Sequence, residues 1–593
     1  MDIREGNLLK IILKNENLNQ RILAELCGYS LGTVNKLVGQ LMKKELITED
    51  LCVTQKGKEL LNLNIPHNAV ILAAGYGMRT VPLNMEVPKG LLEINGEPLI
   101  EHIINQLHNV GIYDISVIVG YMKEKYEYLI DEYNVELVVN PEYHTKNNLY
   151  SLSLAADKIF NTYIIPCDIW CTKNPFDHYE LYSWYMVNDL VDDDSTVRIN
   201  RKMELVNIEK GASGNGMIGI SYLEGETAAI VRDRLNQYKD KPQYDACYWE
   251  AALFNKEKMV VYANVVSFTD VIEINTYEQL RDFDSNSNHL NNTAINVICD
   301  ALCADSSEIT DITVLKKGMT NRSFLFSCRG IKYIMRIPGE GTEQLINRRE
   351  ESDVYQVICN KGICDNIFYM NPENGYKITE FYESARVCDS GNMEDVEKCM
   401  SKLREFHANK YKVGHEFDLF KQIEFYETLW GGTSSVYRDY EETKISVFRL
   451  KAFVDKYCEQ KILTHIDAVP DNFLFVTNSA GQEEIRLIDW EYAGMQDPHV
   501  DIAMFAIYSL YEREQVEKLI DAYFEQDCGI TIRIKIYCYI AICGLLWSNW
   551  CEYKHKLGVE FGEYSLKQYR YAKEYYKIVQ EELNKCGGIL EET

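Results

Sequence analysis

The chain has 593 residues, 46% of them hydrophobic, and a formal net charge of −28 at pH 7. That length holds about three or four domains, and the charge excludes a protein that grips nucleic acid over its whole surface. The charge is uneven: residues 1–65 carry nine Lys/Arg against eight Asp/Glu and hold +1, which leaves −29 for the rest.

An acidic protein that binds nucleotides must gather positive charge locally, so basic residues inside motifs carry extra weight. The eighteen cysteines are scattered. Cys167/Cys171 and Cys299/Cys303 have CxxxC spacing without a matching second pair, which reads as reduced thiols rather than a zinc or disulfide framework. The N-terminus, MDIREGNLLKIILKNENLNQ, lacks the apolar core and cleavage site of a secretory signal. The longest apolar stretch, Tyr537 to Trp547, is too short to span a bilayer. The expectation is a cytoplasmic chain with no membrane insertion.

Residues 1–65 read as short amphipathic helices with a small β element. Leu18 to Cys27 is expected to be helical, Gly28-Tyr29-Ser30 a turn, and Leu31 to Lys44 a second helix. Val34, Leu37, Val38 and Leu41 share one face of it. Leu46 to Lys56 is expected to form two short strands. This order resembles the winged helix-turn-helix of bacterial regulators. Thr33, Asn35, Lys36, Gln40 and Lys43 would then project toward DNA. An oligomerisation or regulatory module is the competing reading.

Asn64-Ile65-Pro66-His67 reads as a linker. From Ala69, buried strands alternate with helices: AVILAAG, Leu99 to Val110, ISVIVGY and VELVVN. The pattern predicts an α/β domain over residues 66–290 with a largely parallel sheet, a Rossmann-like arrangement. The first strand ends in LAAGYGMRT, so Leu72, Ala73, Ala74, Gly75 and Gly77 bring backbone amides close to phosphate oxygens. Arg79 and Pro88-Lys89 follow. These residues resemble the LAAGxGxR…PKxLL element of sugar-phosphate and choline-phosphate nucleotidyltransferases.

In that chemistry a phosphate monoester attacks the α-phosphorus of a nucleoside triphosphate. The nucleophile is already an anion, so the site needs charge neutralisation and alignment rather than a strong base. Arg79 and Lys89 supply the first, together with Mg²⁺. The resemblance places a metal ligand at Asp168, at the end of the strand YIIPCD. It would place a second acid in VIEINTYEQL, where Asn275 stands at a position expected to be Asp and Glu273 substitutes. NPEYHTKNNLYSLSLA, through Asn147, Asn148 and Ser151, resembles bacterial choline-phosphate cytidylyltransferases. Tyr248-Trp249-Glu250 sets an aromatic beside a carboxylate, a pairing that suits a quaternary ammonium; Trp249 is equally readable as a core aromatic.

The polar stretch DSNSNHLNN, Asp284 to Asn292, marks the next linker. Residues 293–593 follow a protein-kinase-like order. His465-Ile466-Asp467, Asn472 and Asp489 reproduce the HxDxxxxN…D pattern. Asp467 would accept the substrate hydroxyl proton, and Asn472 and Asp489 would hold Mg²⁺ on ATP. Upstream, Gly318 to Asn321 would be the turn over the phosphates. Arg336 stands where protein kinases carry Lys, with Glu351 as its ion-pair partner and Glu350 as the rival. GMTNRSF, YIMRIPGEGTE and LIDWEYAGMQDPHVDIA resemble bacterial choline kinases, relatives of aminoglycoside phosphotransferases. Trp547 and Trp550, three apart on a helix, share a face. With Glu491 and Tyr492 they would wall a trimethylammonium cation, or else they are two core tryptophans.

The expectation is a multidomain α/β and α+β protein: winged helix, nucleotidyltransferase domain, kinase-like domain. Its implied ligands are ATP, CTP, choline and phosphocholine, and its implied product is CDP-choline. Ethanolamine or another aminoalcohol, a sugar pair, and a metabolite-sensing regulator are the alternatives. The preference for CTP comes from the resemblance alone, and the sequence leaves oligomeric state open, a homodimer included.

Overall fold

The computed structural model describes residues 3–15, 18–192, 195–209, 212–315, 321–339, 345–478, 481–557, 559 and 561–587. The chain forms two compact units. One comprises Met1–Val297 with Ile312–Val314, and the other Ile298–Asp311 with Leu315–Thr593.

The first unit opens with the helices Ile3–Lys14, Gln20–Cys27 and Leu31–Lys43. Asn19 caps the second by accepting from the amides of Arg21 and Ile22, and Gly28 ends it at φ 69°, a conformation that favours glycine. Ser30 caps the third through the Thr33 amide. Val34, Leu37, Val38 and Leu41 are all buried, as their spacing requires. The wing is smaller than expected: a single Ile47–Val53 bridge replaces two strands. The cause is Thr54, whose hydroxyl accepts from the Gly57 amide and starts the helix Gln55–Asn62 early.

Residues 64–67 do not set this module apart as a compact unit of its own. Helix Ile3–Lys14 lies on the segment 177–182. Lys10 pairs with Glu180 at 2.6 Å and Lys14 with Asp177 at 2.6 Å. Tyr182 donates to Asn7 at 2.7 Å, and Leu181 joins Leu8, Leu9 and Ile12 in one apolar cluster.

A ten-stranded sheet follows. Glu136–Val139, Ile115–Val119, Asn68–Ala73 and Thr162–Pro166 run parallel in that spatial order. Asn68–Ala73 is buried along its whole length, as a central parallel strand must be. Gly214–Leu223 then pairs antiparallel with Thr162–Pro166, so the sheet is mixed rather than largely parallel. A separate short ladder joins Val271–Glu273 to Ile169–Cys171 and sets Glu273 opposite Ile169, next to Asp168.

In the second unit Asn321–Cys328, Ile331–Pro338, Lys377–Glu380 and Ile367–Met370 neighbour one another in a five-stranded sheet. Helix Arg348–Ile358 intervenes in sequence between the second of these and the strand Ile367–Met370. A largely helical part follows. Its long helix, Ile530–Lys556, has buried residues on every face from Ile534 to Lys554. By length and composition this helix could cross a membrane, yet most of its apolar stretch is buried within the protein. It also runs well beyond the eleven-residue apolar stretch seen in the sequence.

Candidate active sites

The first site lies beyond the carboxyl ends of the parallel strands, where open α/β sheets hold ligands. Leu72, Ala73 and Ala74 are buried, and the chain then leaves the sheet through Gly75 and Gly77. Gly77 sits at φ 65°, and a Cβ there would come to 3.0 Å of the Thr80 hydroxyl. The loop is braced from inside: Asn84 donates to the Tyr76 carbonyl at 3.0 Å and Tyr121 to the Asn84 carbonyl at 3.0 Å.

Lys89 forms a short ion pair with Asp168 and donates to the Asn275 side-chain oxygen at 2.8 Å. Arg79 approaches Glu273 at 3.7 Å and is otherwise exposed, free to swing onto a ligand. Burial, and then the neighbouring Asp168, push the Glu273 carboxyl up from its ordinary range. The short ladder thus brings Arg79, Lys89, Asp168, Glu273 and Asn275 to one place. Asn275 in place of Asp removes one negative charge and gives Lys89 a neutral acceptor.

Asn147 and Asn148 act here as frame. Asn147 caps the helix Asn148–Ser153 and donates to the Ala246 carbonyl at 3.2 Å, and Asn148 accepts from the Trp249 amide at 2.8 Å. Trp249 corrects an expectation. It is 1% exposed, packed in the core with Tyr185 at 6.0 Å, and offers no face to a cation. The exposed aromatic of that triplet is Tyr248. Glu250 is held by the Tyr185 hydroxyl at 2.9 Å, and burial raises its pKa to about 7.

The second site surrounds a cavity of about 880 Å³. Asp467, Asn472, Asp489, Glu491, Tyr492, Arg336, Trp547 and Trp550 all line it. Asn472 donates to Asp467 at 3.1 Å. His465 donates from Nε2 to the Ile488 carbonyl at 3.0 Å, and burial lowers its pKa to about 4. It is therefore a neutral brace. Asp489 adopts φ 63°, which turns its side chain out of the strand direction between Glu483–Leu487 and Gly494–Gln496. Burial, then Asp489 and Glu491, raise the Asp467 pKa to about 8.

Arg336 holds Glu351 in a buried two-point pair, at 2.9 Å for Nη2–Oε2, and donates to the Gly375 carbonyl at 3.1 Å. Burial alone would raise Glu351, but Arg336, Lys377 and Arg348 outweigh it and hold its pKa at about 2. Glu350 is not the partner of Arg336. Gly318, Met319 and Thr320 lie outside the described residues, as does the side chain of Asn321.

Trp547 meets Tyr492 edge-to-face at 5.6 Å and Trp550 at 5.4 Å. Sequence reasoning missed Arg348 and Lys377. Lys377 sits directly across the strand pair from Arg336 and is buried against Tyr355, to which it donates at 2.7 Å. Nothing in the short, mixed strand KITE singled its lysine out.

Both donor sets are oxygen-only, Asp168 with Glu273 and Asn472 with Asp489. This is the chemistry Mg²⁺ accepts when substrate phosphates complete its shell.

These two sites define a transferase with one nucleotidyl-transfer centre and one phosphoryl-transfer centre. A family model for winged helix-turn-helix DNA-binding matches residues 1–48, a MobA-like NTP transferase domain matches 69–176, and choline/ethanolamine kinase matches 312–523. A choline-phosphate cytidylyltransferase of Streptococcus pneumoniae is 31% identical over 230 residues, covering 36% of this chain and 96% of that protein. Protein LicA of Haemophilus influenzae is 27% identical over 279 residues, 44% of this chain and 99% of the relative. The crystal structure of choline kinase LicA from Streptococcus pneumoniae aligns at TM-score 0.42 and 29% identity, over 48% of this chain and 98% of that one. The chain belongs to the choline-phosphate cytidylyltransferase family and carries a choline kinase-like domain fused to it.

The raised pKa of Asp467 has a kinetic consequence. A base must be unprotonated to accept a proton, so kcat/KM for ATP in the phosphotransferase assay should climb as pH rises through about 8 and level off above it. Glu491→Gln removes one of the negative charges behind the shift and should move the midpoint down. A profile already flat from pH 6 would contradict this assignment.

Proposed function

We propose that the chain makes CDP-choline in two steps, carried by domains 293–593 and 66–290, with residues 1–65 as the winged helix-turn-helix. The kinase-like domain phosphorylates choline with ATP, and the nucleotidyltransferase domain transfers CMP from CTP to the phosphocholine, releasing pyrophosphate. The observation that carries the reading is the second cavity. It joins a buried carboxylate base to the aromatic faces of Tyr492, Trp547 and Trp550, a surface that suits a quaternary ammonium. Asp467 takes the hydroxyl proton, Asn472 orients Asp467, and Arg336 is held by Glu351 toward the nucleotide. In the other site Lys89 and Arg79 neutralise the triphosphate while Asn147 and Asn148 hold the acceptor wall. Mg²⁺ held by Asn472 with Asp489, and by Asp168 with Glu273, would offset phosphate charge in each site.

The protein incubated with Mg²⁺, ATP, CTP and either choline, ethanolamine or a sugar panel should yield CDP-choline from choline, read by mass spectrometry. Phosphocholine without CDP-choline would refute the second step, and no product from choline would refute the first. Trp547→Ala should raise KM for choline by up to about thirtyfold, as loss of up to ~2 kcal/mol of cation–π attraction predicts, with KM for ATP unchanged. Equal effects on both would assign the ring to the core.

The N-terminal helix Leu31–Lys43 supports a second, separate role. It exposes Asn35, Lys36, Gln40 and Lys43, and duplex DNA is the proposed partner. Binding that weakens steeply with salt would support it, and no shift of a duplex library at low salt would refute it.

A further inference from the structure

The second site contains a line of buried alternating charge that none of the motifs announces. Glu351 Oε2 accepts from Arg336 Nη2 at 2.9 Å and from Arg348 Nη1 at 3.0 Å. The same Arg348 nitrogen donates to Glu491 Oε2 at 3.3 Å. All four side chains are less than a tenth exposed. Gly375 leaves room for Arg348: a Cβ there would fall 2.8 Å from the Arg348 Cδ.

The two ends of this line face the cavity. Arg336 lines it on the nucleotide side, and Glu491 lines it beside Tyr492 and Trp547. A phosphate anion beyond Arg336 and an ammonium beyond Glu491 would each extend the alternation by one charge. Buried charges interact strongly and are little screened. A ligand at one end therefore changes how firmly the far end is held.

We propose that Arg348 is a positioning residue that couples the nucleotide to the acceptor: it ties the Arg336–Glu351 pair to Glu491, so that either ligand tightens the other. The proposal rests on the kinase reading above. Arg348 is not among the residues that line the cavity. Its role is to transmit, and its signature is in binding rather than in chemistry.

The test is equilibrium binding of choline to the full-length protein with and without a non-hydrolysable ATP analogue. In the wild type the analogue should tighten choline about fivefold or more, within the usual range of such couplings. In Arg348→Gln the ratio should fall to within about twofold of one, while each ligand still binds alone. Arg348→Lys keeps the charge but replaces the planar fork by a point donor; it should bind each ligand alone and lose most of the ratio. If Arg348→Gln does not fold, because the buried Glu351 and Glu491 lose the cation they share, Arg348→Lys decides. A wild-type ratio near one, or a wild-type ratio kept in the folded variants, overturns the proposal. Lowered melting temperature with the ratio intact would assign Arg348 to structure alone, which also overturns it. Failure of the kinase reading looks different: the wild type would neither bind the analogue nor phosphorylate choline.

Discussion

Asp467→Ala should cut ATP-dependent phosphorylation of choline by about 10²–10⁴-fold, the usual contribution of a positioned base, and leave cytidylyl transfer to supplied phosphocholine unchanged. An alcohol must lose a proton as it attacks, and among the described residues Asp467 lies where the motif places the acceptor of that proton. Its neighbours make it a willing one. Burial, Asp489 and Glu491 all disfavour its charged form, so it gains more from taking a proton than an exposed aspartate does. Asn472 keeps it aimed, with a 3.1 Å bond to the carboxylate and a 2.8 Å bond to the Asp467 carbonyl. Two separate assays on one preparation check the result. Loss of both activities would mean that the substitution damages the chain as a whole.

Lys89→Ala should do the reverse. Cytidylyl transfer should fall about 10²–10³-fold, as for removal of one preorganised group that stabilises developing charge, with phosphorylation intact. Lys89 pairs with Asp168 and also donates to Asn275. Removing it leaves Asp168 without its ion-pair partner and takes away one of the two cations, with Arg79, that hold the Glu273 carboxyl down. The Glu273 carboxyl, already raised by burial and by Asp168, should then rise further. The loss would therefore combine weaker triphosphate binding with a poorer metal site, and more Mg²⁺ should recover part of it. Arg79→Ala tests the same charge without that coupling, because Arg79 only grazes Glu273.

Much of this was legible because motif chemistry is local in sequence. His465, Asp467, Asn472 and Asp489 fall within 25 residues, and glycines with a following Arg and Lys announce a phosphate loop. The second and third helices of residues 1–65 were readable from apolar spacing, whereas Gln55–Asn62 was not. What failed depended on neighbours distant in the chain. Trp249 was ambiguous because an aromatic next to a carboxylate looks alike in a core and in a site, and only the packing of Tyr185 decides. Arg348 reads as an ordinary charge at a helix start until the fold brings Glu491, 143 residues away, against it. The wing shrank because one threonine capped a helix where strand was expected.

The docking of the first helix on segment 177–182 bears on how this protein can be cut. Pro66 looks like a natural place to separate a small DNA-binding piece from an enzyme. A cut there would strip Leu181 from Leu8, Leu9 and Ile12 and leave Glu180, buried and bonded to Tyr163, without Lys10. Each fragment would carry an open apolar scar and stickiness neither has when joined. A small fragment that clumps, or an enzyme that loses solubility when shortened, would reflect the missing half rather than a faulty domain. The same contact gives any molecule that grips the first helix a mechanical handle on the strand-end segment leading away from Asp168.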